Sequence, residues 1–140
     1  MDVITFGGME LVFLQTKETT GGSLDLFEMT LQPDAQMPVP HHHESWEETV
    51  YGLSGVTTFK VGGETINLSP GQSLFIKRGV VHGFKNTSGA PSRSLCLLTP
   101  GALGSAYFRE LADLVAGGSP DPAKMKAVML RYGLVPAPLS

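Results

Sequence analysis

Short β-prone runs, each ended by turn-forming residues, occupy the chain from Met9 to Thr99. The runs MELVFLQT and SLDLFEMTL flank the segment KETTGG, whose paired glycines favour a hairpin turn. Further runs follow at close spacing: ETVYGLSG, VTTFKV, TINL, SLFIK, HGFKN and SRSLCLLT. So many short strands predict an all-β fold, an antiparallel sandwich or barrel that leaves few sheet edges exposed.

The pattern becomes helical after the segment TPGALG. One apolar face at helical spacing is formed by Phe108, Leu111 and Val115. A second helix is predicted after Asp121, a capping residue, with Pro122 at its first position. Its apolar stripe consists of Met125, Val128, Met129 and Tyr132, and Gly133 follows it. We therefore expect one domain, with a β-barrel over residues 1–103 and a helical extension over residues 104–140 that packs on the barrel or on a dimer partner.

Composition excludes several classes of partner. The chain has 140 residues, enough for one domain, and 10 basic against 13 acidic residues with no basic stripe, so we expect no nucleic acid partner. Cys96 is the single cysteine, so no internal disulfide can form, and its apolar neighbours predict a buried thiol. The N-terminus lacks the pattern of a secretory signal, and no apolar stretch approaches the roughly 20 residues of a membrane helix. We expect a cytoplasmic protein without a membrane partner.

Three consecutive histidines stand in the segment MPVPHHHESWEETVYGLSG. Pro38 and Pro40 disfavour a helix here, so the segment is expected to be extended. In an extended chain His41 and His43 share one face, while His42 points to the other. Such a pair often binds nothing, and a lone histidine elsewhere is more often packed than ligating. The alternatives at this point are a metal site and solvent-exposed histidines.

The spacing of further residues resembles the two motifs of the cupin family. After His41-x-His43 come four residues, Glu48, six residues and Gly55, as in the first cupin motif, although the leading glycine of that motif is absent. Glu48 is preferred to its neighbour Glu47 because only Glu48 leaves six residues before the glycine.

The second cupin motif is matched between Gly71 and Asn86. Five residues follow Gly71, then Lys77-Arg78-Gly79, two residues, His82, three residues and Asn86. Lys77 stands where the family usually has proline, a change that removes no ligand. The resemblance implies a double-stranded β-helix, also called a jelly-roll or cupin barrel, with one or two C-terminal helices.

The resemblance also implies a site and a function. His41, His43, Glu48 and His82 would bind one divalent transition metal, namely Fe, Mn, Ni, Co, Cu or Zn, and Glu48 would also act as a catalytic proton acceptor. The chain is most similar in kind to small quercetin-dioxygenase-like cupins, which implies an oxidoreductase acting on a small hydrophobic or aromatic enol, phenol or diketone. The alternatives are a redox-neutral isomerase, cyclase or lyase that uses the metal as a Lewis acid, and a non-catalytic binder of small molecules. Small cupins commonly pair, so a homodimer is expected.

Residue parity predicts which side chains line the cavity. Phe84 shares a strand face with His82. Further candidates are Met37 and Val39, just before the histidines, and Phe27 and Met29 on the second predicted strand. Trp46, in the turn after the histidines, is expected either at the rim of the cavity or packed beneath that turn. The candidate lining residues are Phe27, Met29, Met37, Val39, Trp46 and Phe84.

Overall fold

The computed structural model describes residues 2–35, 39–118 and 120–138, and most of them lie in two antiparallel sheets. The strands of the first sheet, in spatial order, are β1 (Asp2–Phe6), β2 (Met9–Gln15), β3 (Asp25–Leu31), β10 (Ser92–Thr99), β5 (Glu47–Ser54) and β8 (Ser73–Ile76). Those of the second are β11 (Leu134–Pro136), β4 (His41–His43), β9 (His82–Lys85), β6 (Thr57–Val61) and β7 (Glu64–Leu68). The all-β jelly-roll architecture predicted from the sequence is confirmed.

Strict alternation of buried residues defines the inner face of the larger sheet. In β3 every second residue from Asp25 to Leu31 is buried, and in β10 every second residue from Ser92 to Leu98. The register places Cys96 opposite Phe27, so the inner faces of the two strands coincide. Because the strand period is two, this pairing directs all of these side chains into the space between the sheets.

The predicted hairpin across KETTGG is present, since β2 and β3 pair antiparallel. Two strands lie outside the predicted series. The first is β1, which pairs with β2 across a turn in which Gly7 and Gly8 both have positive φ. The second is β11, which falls inside the segment expected to be helical and pairs with β4.

Two helices follow the barrel strands, α1 (Ala106–Ala116) and α2 (Pro122–Arg131). As predicted, the Asp121 side chain caps α2 by accepting a hydrogen bond from the backbone N–H of Ala123 at 2.9 Å. Of the stripe predicted on α2, Met125, Val128 and Met129 are buried, and Tyr132, just after the helix, is half-buried. On α1, Tyr107 and Leu111 are buried, while the predicted Phe108 and Val115 are only half-buried. Within the described ranges, no helix is long and apolar enough to span a membrane.

Candidate metal centre

Three histidines meet on the inner face of the smaller sheet. His41 and His43 alternate on β4, and His82 on β9 is the register partner of His41. All three side chains are buried, and one ligand atom from each lies within 4.8 Å of the other two. His42, between the pair, is only half-buried. The extended backbone predicted from Pro38 and Pro40 thus brings alternate histidines to one point.

Backbone carbonyls fix the tautomers of two of these rings. The Nδ1 of His41 lies 3.1 Å from the carbonyl oxygen of Val39, and that of His82 lies 3.0 Å from the carbonyl oxygen of Val80. A carbonyl oxygen can only accept, so each Nδ1 carries the proton and donates it. In the neutral rings of His41 and His82 the Nε2 atom therefore carries no proton, and the Nε2 atoms of His41 and His43 face each other 3.1 Å apart.

Burial keeps the cluster uncharged. It lowers the pKa of His41 to about 3 and that of His43 to about 2, and neighbouring histidines contribute in the same direction. Burial also lowers the pKa of His82. Neutral imidazole is the form that binds a metal ion. At neutral pH the three rings can therefore bind a metal without first losing a proton.

Glu48 approaches this cluster from the opposite sheet. Its Oε1 lies 3.8 Å from the Nε2 of His82, while the group of atoms within 4.8 Å of one another contains the three histidines only. Burial raises the pKa of Glu48 to about 7. Its neighbour Glu47 faces away and accepts hydrogen bonds from the backbone and guanidinium of Arg78. Of the four ligands implied by the motifs, the structure groups three and places Glu48 beside one of them.

A largely apolar cavity is bordered by His41, His43 and Glu48. Four of the candidate lining residues contribute to its wall, namely Phe27, Met29, Val39 and Phe84. Met37 lies outside the described residues. The cavity volume that the centre of a water molecule can occupy is about 60 Å³. Since one water needs about 10–15 Å³ by this measure, the space corresponds to roughly four to six waters, the size of a small organic molecule.

Trp46 is not at the rim of the cavity, contrary to the first of its two predicted placements. It is 1% exposed and stacks on the face of His43, with ring centroids 4.7 Å apart. The turn between β4 and β5 places the indole behind the imidazole of His43, so Trp46 packs against that ring and does not line the cavity. Packing beneath the turn was the alternative that the sequence left open.

Residues from both ends of the chain complete the cavity wall, a position that was not predicted for them. From the N-terminal strands come Phe6, Met9 and Leu11. From the C-terminal segment come Leu103, Tyr107, Phe108, Leu111, Met125, Met129 and Leu134. The available signal was the apolar stripe on each helix, which predicts burial without indicating whether the stripe meets a core or a cavity.

Comparison with known proteins agrees with this geometry. The Cupin_2 family model, described as a cupin domain, matches residues 27–98, just over half of the chain. The chain belongs to the cupin family. The matched region holds the three histidines, Glu48, strands β4 to β9 and most of β3 and β10, while β1, β2, β11 and both helices lie outside it.

Individual cupins are similar over part of the chain. The quercetin 2,3-dioxygenase of Bacillus subtilis is 34% identical over 85 residues, which are 61% of this chain and 25% of that protein, so the chain spans only a quarter of the relative's length. The structure of the polyketide cyclase RemF from Streptomyces resistomycificus has a TM-score of 0.59 and 29% identity over 66% of this chain and 65% of that one. KdgF from Halomonas sp. has a TM-score of 0.63 over 71% of this cupin and 86% of its own chain, and at 21% identity it shows the fold alone.

The donor set fits a divalent transition metal. Three neutral imidazoles with a carboxylate beside them suit Fe, Mn, Co, Ni, Cu or Zn, whereas calcium would need more oxygen ligands. No cysteine joins the cluster, and structural zinc sites commonly use cysteine. The three histidines would hold such a metal, which would have further coordination positions for water, substrate or Glu48.

Proposed function

We propose that this cupin is a metal-dependent, dioxygenase-like oxidoreductase that acts on a small apolar enol, phenol or diketone. The observation that carries the proposal is that two members of a neutral three-histidine cluster, His41 and His43, line a cavity with an otherwise mostly apolar wall. A metal bound there supplies a Lewis acid and, when it is redox-active, a partner for O₂. The name of the Bacillus subtilis relative supports the same class of reaction.

The wall of the cavity selects the substrate by exclusion of water. Aromatic and aliphatic side chains from both sheets surround the histidines, so transfer of a hydrophobic ring from water into the cavity is favourable. The lining contains no lysine or arginine among the described residues, which disfavours phosphate-bearing substrates. The volume suits a one-ring or short-chain molecule.

Glu48 is the chain's proton acceptor in this proposal. Its carboxylate faces the cavity next to His82, within reach of a hydroxyl that enters beside the histidines. An enol or phenol would bind a metal at the histidines more strongly as its anion. A carboxylate at this position can take the hydroxyl proton as the oxygen binds. Glu47 cannot substitute for it because Arg78 holds that side chain on the other face.

Oxygen uptake tests the proposal. The protein as purified and after loading with each candidate metal would be mixed with catechol and with 2,4-pentanedione in an oxygen-electrode cell. We expect uptake with at least one metal and one substrate, abolished by His43→Ala and strongly reduced by Glu48→Gln. Normal metal content without uptake or product for any of these pairs would contradict the oxidoreductase proposal.

A redox-neutral reaction is the second candidate. It is supported by the similarity to the polyketide cyclase RemF, whose identity to this chain is 29%. In that case the same site would stabilise an enolate and return the proton to the substrate without oxygen consumption. Product formation at an undiminished rate under strict anaerobiosis would favour this candidate over the first.

A homodimer remains part of the proposal. Several large apolar side chains are exposed on the single chain, including Val3, Tyr51 and Phe75 at 54%, 44% and 59%. Light scattering over a wide range of protein concentration would check it. A mass of one chain at every concentration would contradict it.

A further inference from the structure

About half of the cavity wall lies outside the matched cupin residues 27–98. The outer wall is formed by the first two strands, by α1 and α2, and by the beginning of β11. Specificity for one substrate over another therefore depends strongly on side chains that the family match does not include. Among them, the residue whose chemistry differs is Tyr107 on α1.

Tyr107 brings a hydroxyl to an apolar wall. Of the described lining residues, those with a side-chain nitrogen or oxygen are His41, His43, Glu48 and Tyr107. The first three belong to the metal centre. Tyr107 is only 3% exposed, and its aromatic neighbours are Phe108 and Tyr132.

No described residue accepts a hydrogen bond from the Tyr107 hydroxyl, and burial alone raises the pKa of this phenol. Among the described residues, Nε1 of Trp46 is the one side-chain nitrogen or oxygen that is both fully enclosed and without a partner. The Tyr107 hydroxyl also lacks a described partner, so it is not fully enclosed. Tyr132 shows the contrast, because its hydroxyl is bonded to Glu110 and it does not line the cavity. A buried polar group without a protein partner calls for a ligand or water.

We propose that the Tyr107 hydroxyl donates a hydrogen bond to a second oxygen of the substrate, distinct from the oxygen that binds at the histidines. This hydrogen bond rests on the proposed function and narrows the substrate class to small apolar molecules that carry two separate oxygen-containing groups. Tyr107 is thus a specificity-determining residue, supplied by the C-terminal helices and not by the family barrel.

A matched pair of ligands tests the hydrogen bond. The probes are 3,4-dihydroxyacetophenone, whose acetyl oxygen can accept, and 4-isopropylcatechol, which has a similar shape without that oxygen. Dissociation constants of both would be measured by titration calorimetry on metal-loaded wild-type protein and on Tyr107→Phe. The substitution should weaken the acetyl compound about 3- to 10-fold, the value of one neutral hydrogen bond, and leave the isopropyl compound unchanged. For each ligand, the dissociation constant of Tyr107→Phe is divided by that of the wild type, so the difference in acidity between the two catechols cancels.

Tyr132→Phe is the control, since it removes a tyrosine hydroxyl next to Tyr107 but outside the cavity. It should change neither dissociation constant, and all three proteins should keep the same metal content. Equal effects of Tyr107→Phe on both ligands, or no effect on either, would overturn the inference. Failure of wild-type protein to bind either catechol would also overturn it.

These outcomes are separable from failure of the proposed function. Calorimetric binding requires no turnover, so a selective loss in Tyr107→Phe would stand even if no oxygen were consumed. Conversely, oxygen uptake with 2,4-pentanedione would stand if the two catechols failed to discriminate between wild type and Tyr107→Phe.

Discussion

The indole ring of Trp46 stacks on the imidazole of His43, with centroids 4.7 Å apart and planes inclined by 21°. Behind it lies the turn after α2, where a Cβ added to Gly133 would come within 3.2 Å of the indole Cζ3. The neighbouring Leu134 is the register partner of His43 across β11 and β4. The C-terminal segment therefore meets the histidine cluster twice, through Trp46 and through the pairing of β11 with β4.

Trp46→Ala should destabilise the protein by about 3–5 kcal/mol, the range for removing a large buried aromatic side chain. Trp46→Phe should lose less stability, because a ring still packs on His43 and the indole N–H, which has no partner among the described residues, is removed. Urea unfolding followed by circular dichroism gives both values, since Trp46 is the single tryptophan and fluorescence would be lost. A change below about 1 kcal/mol in Trp46→Ala would contradict the packing described here.

Gly133→Ala should destabilise the chain by about 1–2 kcal/mol, because its φ of +87° lies in the left-handed region and the new methyl group would press on Trp46. Gly117→Ala is the matched control, since Gly117 also follows a helix but has φ of −88° and no atom within 4 Å of an added Cβ. Unfolding free energies of the two variants test the claim. Equal values would mean that the contact between Gly133 and Trp46 does not matter.

Glu47→Gln should lower the unfolding temperature near neutral pH and have less effect in acid. Hydrogen bonds from the side chain and backbone of Arg78 lower the pKa of Glu47 to about 2, below its ordinary value of 4.5. The ionised carboxylate therefore stabilises the fold above about pH 4.5, and this contribution is lost as the pH falls towards 2. The effect should be small because solvent reaches both side chains of the pair, which are 47% exposed for Arg78 and 20% exposed for Glu47.

Calorimetric unfolding of wild type and Glu47→Gln over this pH range is the measurement. Glu64→Gln in β7 is the control, because Glu64 is exposed and forms no salt bridge among the described residues. A gap between wild type and Glu47→Gln that stays constant from neutral to acid pH would show that the ion pair is not its source.

The sequence predicted those parts of the fold and site that local patterns encode. Alternating apolar residues indicate strands such as β3 and β10, and two prolines beside His41 leave an extended chain as the simplest local structure. Parity then places His41 and His43 on one face, and Asp121 with Pro122 marks the start of α2. Each of these inferences needs only neighbouring residues.

The features that the sequence did not predict depend on tertiary contacts. Strand β11 has three residues and ends in proline, and it is a strand because β4 offers it an edge. Trp46 lies in a turn, where strand parity gives no direction. Tyr107 faces the cavity because α1 folds back over the barrel, and its spacing alone resembles that of any buried helical residue.

Metal content tests the central claim most directly. Wild-type protein, purified without a tag or added metal, would be compared by plasma mass spectrometry with a His41→Ala, His43→Ala double variant and with His42→Ala, whose side chain is half-buried between the pair. We predict about one transition metal per chain in the wild type and in His42→Ala, and none in the double variant. A wild type that binds no metal even after reconstitution, or a double variant that keeps it, would contradict the assignment of these histidines as a metal centre.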